Sequence, residues 1–224
     1  MGTRIGNPVQ QSVERHEGSD YFMNLNEEIG DVFYDYGRGL YANITNKCPC
    51  RCEFCIRDMT DALGSADSLW LKREPTVGEV EEMLKDWDLK DYDELVFCGY
   101  GEPTERLDDL LEISRYINKT TNLSIRINTN GLSDLINEKE TAPMLEGVID
   151  AVSVSLNQSD ADKYYSLCHP KYGRESYQAM LDFTKEVKKY VPHVAMSVVG
   201  VIPNEDIEKC RDIAAELQVP FRVR

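Results

Sequence analysis

Apolar and polar positions change rhythm several times along the chain, and these changes mark out its elements. Residues 1–30 are mostly polar with weak periodicity and read as an N-terminal tail or extension, with a short helix near Tyr21–Ile29. From Asp31 the run DVFYDYGRGLYANIT reads as a short hairpin, turned by Gly37 and Gly39, leading into a strand over Leu40–Thr45. Thr76–Lys85 has apolar residues at helical spacing, and Thr76 is placed to cap them. Strand patterns follow at Asp93–Cys98, Leu123–Asn128, Val148–Leu156, Val194–Ile202 and Pro220–Val223. Helical patterns lie between them at Leu107–Asn118, in part of 132–147, at Asp160–Leu167, at Ser176–Tyr190, and from Asn204 or Asp206 to Leu217.

Six strands alternating with helices predict an α/β fold with a mostly parallel sheet. Six units are too few for a closed eight-stranded barrel, so the expected form is an open, partial (β/α)6, TIM-like barrel. No repeat, low-complexity tract or Pro/Gly linker divides it. The expected organisation is an extension over 1–30 and one core domain over 31–224.

Four polar motifs fall just after strands: Cys48–Cys55, Gly99–Thr104, Asn128–Gly131 and Asn157. All four are expected at the carboxyl edge of the sheet, where α/β folds place their chemistry. The first, Lys47-Cys-Pro-Cys-Arg-Cys-Glu-Phe-Cys55, reads as C-x3-C-x2-C through Cys48, Cys52 and Cys55, with Cys50 inside the first gap. Three thiolates would hold three irons of a [4Fe–4S] cluster and leave the fourth open to do chemistry. By spacing alone other readings stay open. Cys48, Cys50, Cys52 and Cys55 could bind zinc, and Cys50 or Cys98 could close a cluster that only carries electrons. In Gly99-Tyr100-Gly101-Glu102-Pro103-Thr104 the glycines allow positive φ and close backbone approach to a ligand, and Glu102 offers a counter-charge to an amino group. Ser155 and Asn157 share a strand face and would line the interior.

Composition narrows the picture. Lys plus Arg number 25 against 40 Asp plus Glu, a formal charge of −15, which argues against a nucleic-acid partner. No apolar run suits a membrane span, and the polar N-terminus lacks a signal-peptide pattern. Seven cysteines, four of them crowded together, fit a metal or cluster in a reducing compartment better than a disulfide framework. The expected location is the cytoplasm.

The C-x3-C-x2-C loop, with Phe54 before its last cysteine, and the GxGEP turn after the second strand together resemble the radical S-adenosylmethionine (SAM) superfamily. The run Leu40–Cys50 with the following Cys-Glu-Phe-Cys-Ile-Arg-Asp, the run Phe97–Thr104 and the Cys168-His169-Pro170 loop are similar to the TatD-associated (TatD-linked) radical SAM proteins, from about residue 31 to the end. The resemblance implies a [4Fe–4S] cluster on Cys48, Cys52 and Cys55 and SAM as the second cofactor. It places the SAM amino group at the turn Gly99, Tyr100, Gly101 and Glu102. The ribose falls near Asn128 and Asn130, with Ser155 and Asn157 lining the site and Val201 packing on adenine. It further implies an external one-electron reductant, reductive cleavage of SAM to a 5′-deoxyadenosyl radical, hydrogen abstraction from an unspecified substrate, and an association with a TatD-like hydrolase. A glycyl-radical-type activating enzyme and a nucleic-acid-modifying enzyme are the alternatives within this chemistry.

Overall fold

The structure is a computed structural model that describes residues 25–60 and 62–224. The extension expected over residues 1–30 lies outside the described residues up to position 24. Residues 25–29 are helical, and Leu25 and Ile29 are buried in the same core as the sheet. The Ile29 carbonyl accepts the Lys72 N–H at 2.7 Å. The packed unit therefore takes in residues that the pattern assigns to the extension.

The sheet runs in chain order through β1 (Phe33–Tyr36), β2 (Gly39–Ala42), β3 (Glu94–Phe97), β4 (Ser124–Thr129), β5 (Ala151–Ser155), β6 (His193–Val198) and β7 (Phe221–Val223). From β2 to β7 every neighbouring pair is parallel. The helices are α1 (Val77–Leu84), α2 (Leu107–Thr120), α3 (Ser133–Asn137), α4 (Ala161–Cys168), α5 (Glu175–Val187) and α6 (Asn204–Glu216). This mixed α/β fold, a parallel sheet wound in sequence and left open, is the partial TIM-like barrel expected. Its strands number seven and not six because the first arm of the hairpin adds β1 antiparallel to β2. Gly37, at φ +64°, turns the hairpin; the added arm also covers a strand edge that would otherwise offer unpaired backbone groups.

Alternation along the strands separates two faces. Leu95, Phe97, Ile125 and Val154 are fully buried and pack with helix residues such as Leu110 and Ile117 in one core. Removing a side chain of this kind from water is worth about 1.5–3 kcal/mol. The other face carries Tyr41, Arg126, Asn128, Ser153 and Ser155 and stays polar.

Local signals set several ends. Thr76 accepts the Glu79 N–H and Glu79 accepts the Thr76 N–H, a reciprocal cap that starts α1 where expected. Two strands are shorter than their apolar runs. Ahead of β5, Asp150 ends the regular pairing: its N–H donates to the Ile125 carbonyl at 2.9 Å while its carboxylate takes the Ile125 N–H at 2.8 Å. Val199, Gly200 and Val201 lie beyond the end of β6, and Gly200 and Val201 form a turn. Val201 is 56% exposed.

Candidate active site

The cysteine loop leaves β2 through residues that anchor it. The Asn43 amide donates to the Leu69 carbonyl at 2.8 Å, and Asn46 makes paired hydrogen bonds with the Leu71 backbone. On its other side the loop is laced to the end of α4. Arg51 N–H donates to Cys168 O (3.0 Å), Glu53 N–H to Leu167 O (3.0 Å) and Lys171 N–H to Pro49 O (2.8 Å). The Cys168-His169-Pro170 loop is thus a wall of the cysteine loop, and not a free lid.

Cys48, Cys52 and Cys55 are partly exposed, while Cys50 is buried at 4%. Cys50 is thus the least exposed of the four, although its sulfur stays beside those of Cys48 and Cys52. Its sulfur lies 3.9 Å from the Asn130 amide nitrogen. The sulfurs of Cys48, Cys50, Cys52 and Cys168 run as a chain of neighbours. Hydrogen bonds from Cys168 and Cys50, with Arg57 nearby, draw the Cys52 thiol pKa down against the effect of burial. Burial pushes the Cys55 thiol up. Among the described residues no three Cys, His, Asp or Glu side chains converge as they would on a single ion. Cavity space of about 500 Å3 borders Cys48, Arg51, His169 and Lys171.

The glycine turn after β3 sits directly beneath this loop. A Cβ on Gly101 would fall 2.2 Å from the Thr45 carbonyl oxygen and 2.7 Å from that of Lys47. One on Gly99 would fall 2.1 Å from Asn43 Oδ1. Neither glycine has positive φ. Their smallness is required by the protein's own backbone and by Asn43, a different reason from the ligand approach expected. Tyr100 turns its ring away into a cluster with Tyr34, Ala66 and Leu69, against Trp70, and its hydroxyl donates to the Thr60 carbonyl.

Glu102 is 3% exposed, and both carboxylate oxygens are taken. Oε1 accepts from the Thr104 hydroxyl (2.8 Å) and N–H (3.2 Å) and from the Thr129 hydroxyl (2.7 Å); Oε2 accepts the Asn130 N–H at 2.7 Å. Burial raises its pKa, and these donors oppose the rise. Glu102 is therefore a brace between the ends of β3 and β4, where a counter-charge to a ligand was expected. Asn130 shares in that brace, its Oδ1 accepting the Leu132 N–H at 2.9 Å. Asn128 lies on the polar sheet face and accepts from Arg126 at 2.7 Å. Ser155 accepts from Arg224 at 3.0 Å.

Asn157 follows β5 at φ +58°. Its amide nitrogen lies 3.9 Å from the Cys168 sulfur, and its buried Oδ1 has no hydrogen-bond partner. Ser197 on β6, in register with Ser155, also carries a buried hydroxyl without a partner. Such orphaned groups are costly unless something completes them. Ser197 escaped the sequence reading, its signal being a lone hydroxyl in a largely apolar strand, while Thr129 lay within the Asn128–Gly131 motif without being singled out.

The three presented thiols and these open polar atoms share the carboxyl edge of the sheet. All seven cysteines are free. The donor set fits a [4Fe–4S] cluster on Cys48, Cys52 and Cys55, and the orphaned Asn157 and Ser197 atoms fit a polar cofactor such as SAM beside it.

The family model described as the Radical SAM superfamily matches residues 42–217. The chain belongs to the radical SAM superfamily. It is an enzyme of that superfamily, which implies a [4Fe–4S] cluster and SAM. The GTP 3′,8-cyclase of Corynebacterium glutamicum is 29% identical over 150 residues, 63% of this chain and 37% of that protein. The chain thus spans little more than a third of that curated relative. Among solved structures, a radical SAM methyltransferase from Sphaerobacter thermophilus matches with a TM-score of 0.59 at 17% identity, covering 86% of this chain and 68% of the other. Streptococcus suis SuiB bound to S-adenosylmethionine matches at 0.58 and 14% identity, covering 98% and 46%. At these identities the likeness is one of fold. No helix among the described residues is long and apolar enough to cross a membrane.

Proposed function

We propose that this chain holds a [4Fe–4S] cluster on Cys48, Cys52 and Cys55 and binds SAM along the ends of β3 to β6. Once bound, the pair supplies reductive cleavage of SAM to a 5′-deoxyadenosyl radical that abstracts hydrogen from a substrate on the polar sheet face. The observation that carries this reading is the seating of the glycine turn under the cysteine loop, through the 2.7 Å bond from Glu102 N–H to Lys47 O. In this reading the backbone of 99–101 would face a ligand held at the cluster.

The roles of the protein follow from its geometry. Glu102 holds the Asn130 backbone N–H and the Thr129 hydroxyl at a set distance from the glycine turn. Asn157 Oδ1 and Ser197 Oγ are offered to hydroxyl or amino groups of SAM. Gly99, Tyr100 and Gly101 contribute backbone only. Val201, exposed beyond β6, offers an apolar surface to adenine. The buried apolar walls exclude water from the reacting atoms.

An external one-electron reductant and a cytoplasmic location belong to the same reading, the latter supported by the free cysteines. So does membership of the TatD-associated branch. In its support, two of the three runs that carry the resemblance, 40–58 and 168–170, are hydrogen-bonded to each other through Arg51 N–H and Cys168 O. The test is anaerobic reconstitution with iron and sulfide, reduction, addition of SAM and assay for 5′-deoxyadenosine, with electron paramagnetic resonance before and after SAM. A loaded cluster that neither responds to SAM nor cleaves it would sink the reading in favour of an electron carrier.

A further inference from the structure

In a chain of net charge −15, arginines find carboxylates easily. Arg38, Arg73, Arg106, Arg126, Arg174 and Arg211 each lie within 4 Å of one. Arg51, Arg57, Arg115, Arg222 and Arg224 do not, among the described residues. A single exposed arginine such as Arg115 can stand alone in solvent. Two at alternate positions of one strand end, facing the same way, form a site.

Their direction is set by the sheet. Arg222 is in register with Ser197, which pairs with Ser155 on β5. Arg224 reaches back across β6 to donate to Ser155 Oγ at 3.0 Å. Arg222 also borders a cavity of about 370 Å3 at the amino ends of β5, β6 and β7, with Arg126, Ser153, Lys188 and His193, and no carboxylate lines it. Two of the other cations there are already engaged. Arg126 is held by Glu94 at 2.6 and 2.9 Å, and Lys188 donates to the Leu217 carbonyl. Surrounding protein atoms depress the Arg224 pKa, with Arg126 adding repulsion; an incoming anion would relieve both. A guanidinium presents a planar fork of donors that matches carboxylate and phosphate oxygens.

Given radical SAM chemistry at the strand ends, we infer that the substrate carries an oxyanion, a carboxylate or a phosphate, and that Arg222 and Arg224 hold it on the polar face of the sheet. The two arginines orient the substrate from the β7 side: Arg224, just past β7, shares the carboxyl edge with the cysteine loop after β2, and Arg222 stands between that edge and the cavity.

The test is titration calorimetry on the anaerobically reconstituted chain with SAM present, using inorganic pyrophosphate and, separately, succinate as probes. At least one probe is expected to bind saturably, and which one does so separates phosphate from carboxylate. Arg222→Gln and Arg224→Gln are each expected to weaken binding about tenfold. Arg222→Lys and Arg224→Lys, which keep the charge and protect against loss of folding, are expected to weaken it less. Lys209→Gln, which removes one positive charge from the outer helix α6, is expected to bind like the wild type. Absence of saturable binding by both probes, or equal weakening by Lys209→Gln, would overturn the inference. The paramagnetic response to SAM, read on the same wild-type samples, is independent of these outcomes. A response without anion binding removes only the oxyanion site, and anion binding without a response removes only the radical SAM reading.

Discussion

Glu102 and Asn130, 28 residues apart, are joined by a 2.7 Å hydrogen bond from the Asn130 backbone N–H to a buried carboxylate oxygen. The other oxygen gathers Thr104 and Thr129. One side chain thus sets the spacing of two strand ends at the candidate site. Glu102→Gln keeps the shape but replaces one acceptor oxygen with a donor nitrogen. The expected loss is about 1–3 kcal/mol, the penalty of stranding a buried donor, measured by denaturant unfolding. An unchanged midpoint would remove the bracing role.

The two kinds of glycine in this chain predict opposite responses to alanine. Gly101→Ala forces a Cβ into the Thr45 and Lys47 carbonyls, backbone that cannot swing aside. A loss of about 1–3 kcal/mol is expected, together with poorer iron loading. Gly78, in α1, has nothing within 4 Å of the same position. Gly78→Ala is expected to gain roughly 0.5 kcal/mol, read from the same unfolding curves.

Cys48→Ser, Cys52→Ser and Cys55→Ser are each expected to abolish stable cluster loading, measured as bound iron and sulfide after desalting. Cys50→Ala is expected to load normally, because the proposed ligand set of Cys48, Cys52 and Cys55 remains and Cys50 is the most buried of the four. Full loading of a Cys55→Ser protein alongside failure of Cys50→Ala would reassign the ligands.

Asn157→Gly retains the positive φ and removes the unpartnered Oδ1. SAM affinity is expected to fall about fivefold, one ordinary hydrogen bond, in equilibrium dialysis of the reconstituted protein. Equal affinity would mean that this oxygen faces something other than SAM.

The cap of α1 carries a pH signature. The Arg73 guanidinium, together with Thr76, holds the Glu79 carboxyl down at about 2, below its ordinary value of 4.5. A depressed carboxyl contributes stability that is present above the unfolded value and lost as pH falls toward the folded one. Wild type should exceed Glu79→Gln by about 1 kcal/mol near neutrality. The gap should narrow as pH drops below 4.5. A gap that stays constant with pH would show that the charge plays no part.

Features that depend on near neighbours were legible along the chain. The spacing of Cys48, Cys52 and Cys55, the Thr76 cap, the Gly37 turn and the alternation of strand and helix each follow from contacts within a few residues or from a fixed repeat. Strand ends were less so. Apolar composition runs on through Val199 and Val201, but pairing stops where a partner or a turn stops it.

What the chain determined by itself is therefore the α/β order, the placement of four polar motifs after strands and the identity of the presented thiols. Periodicity and local spacing act before any long-range contact forms. Folding alone decided that Glu102 braces a neighbouring loop, that Tyr100 turns into a buried cluster with Tyr34, Ala66 and Leu69, that Cys50 lies buried beside Asn130, and that Arg224 reaches Ser155. Each of these depends on a partner far away in sequence, and direction in a buried polar group is set by the nearest available donor or acceptor once the strands lie side by side.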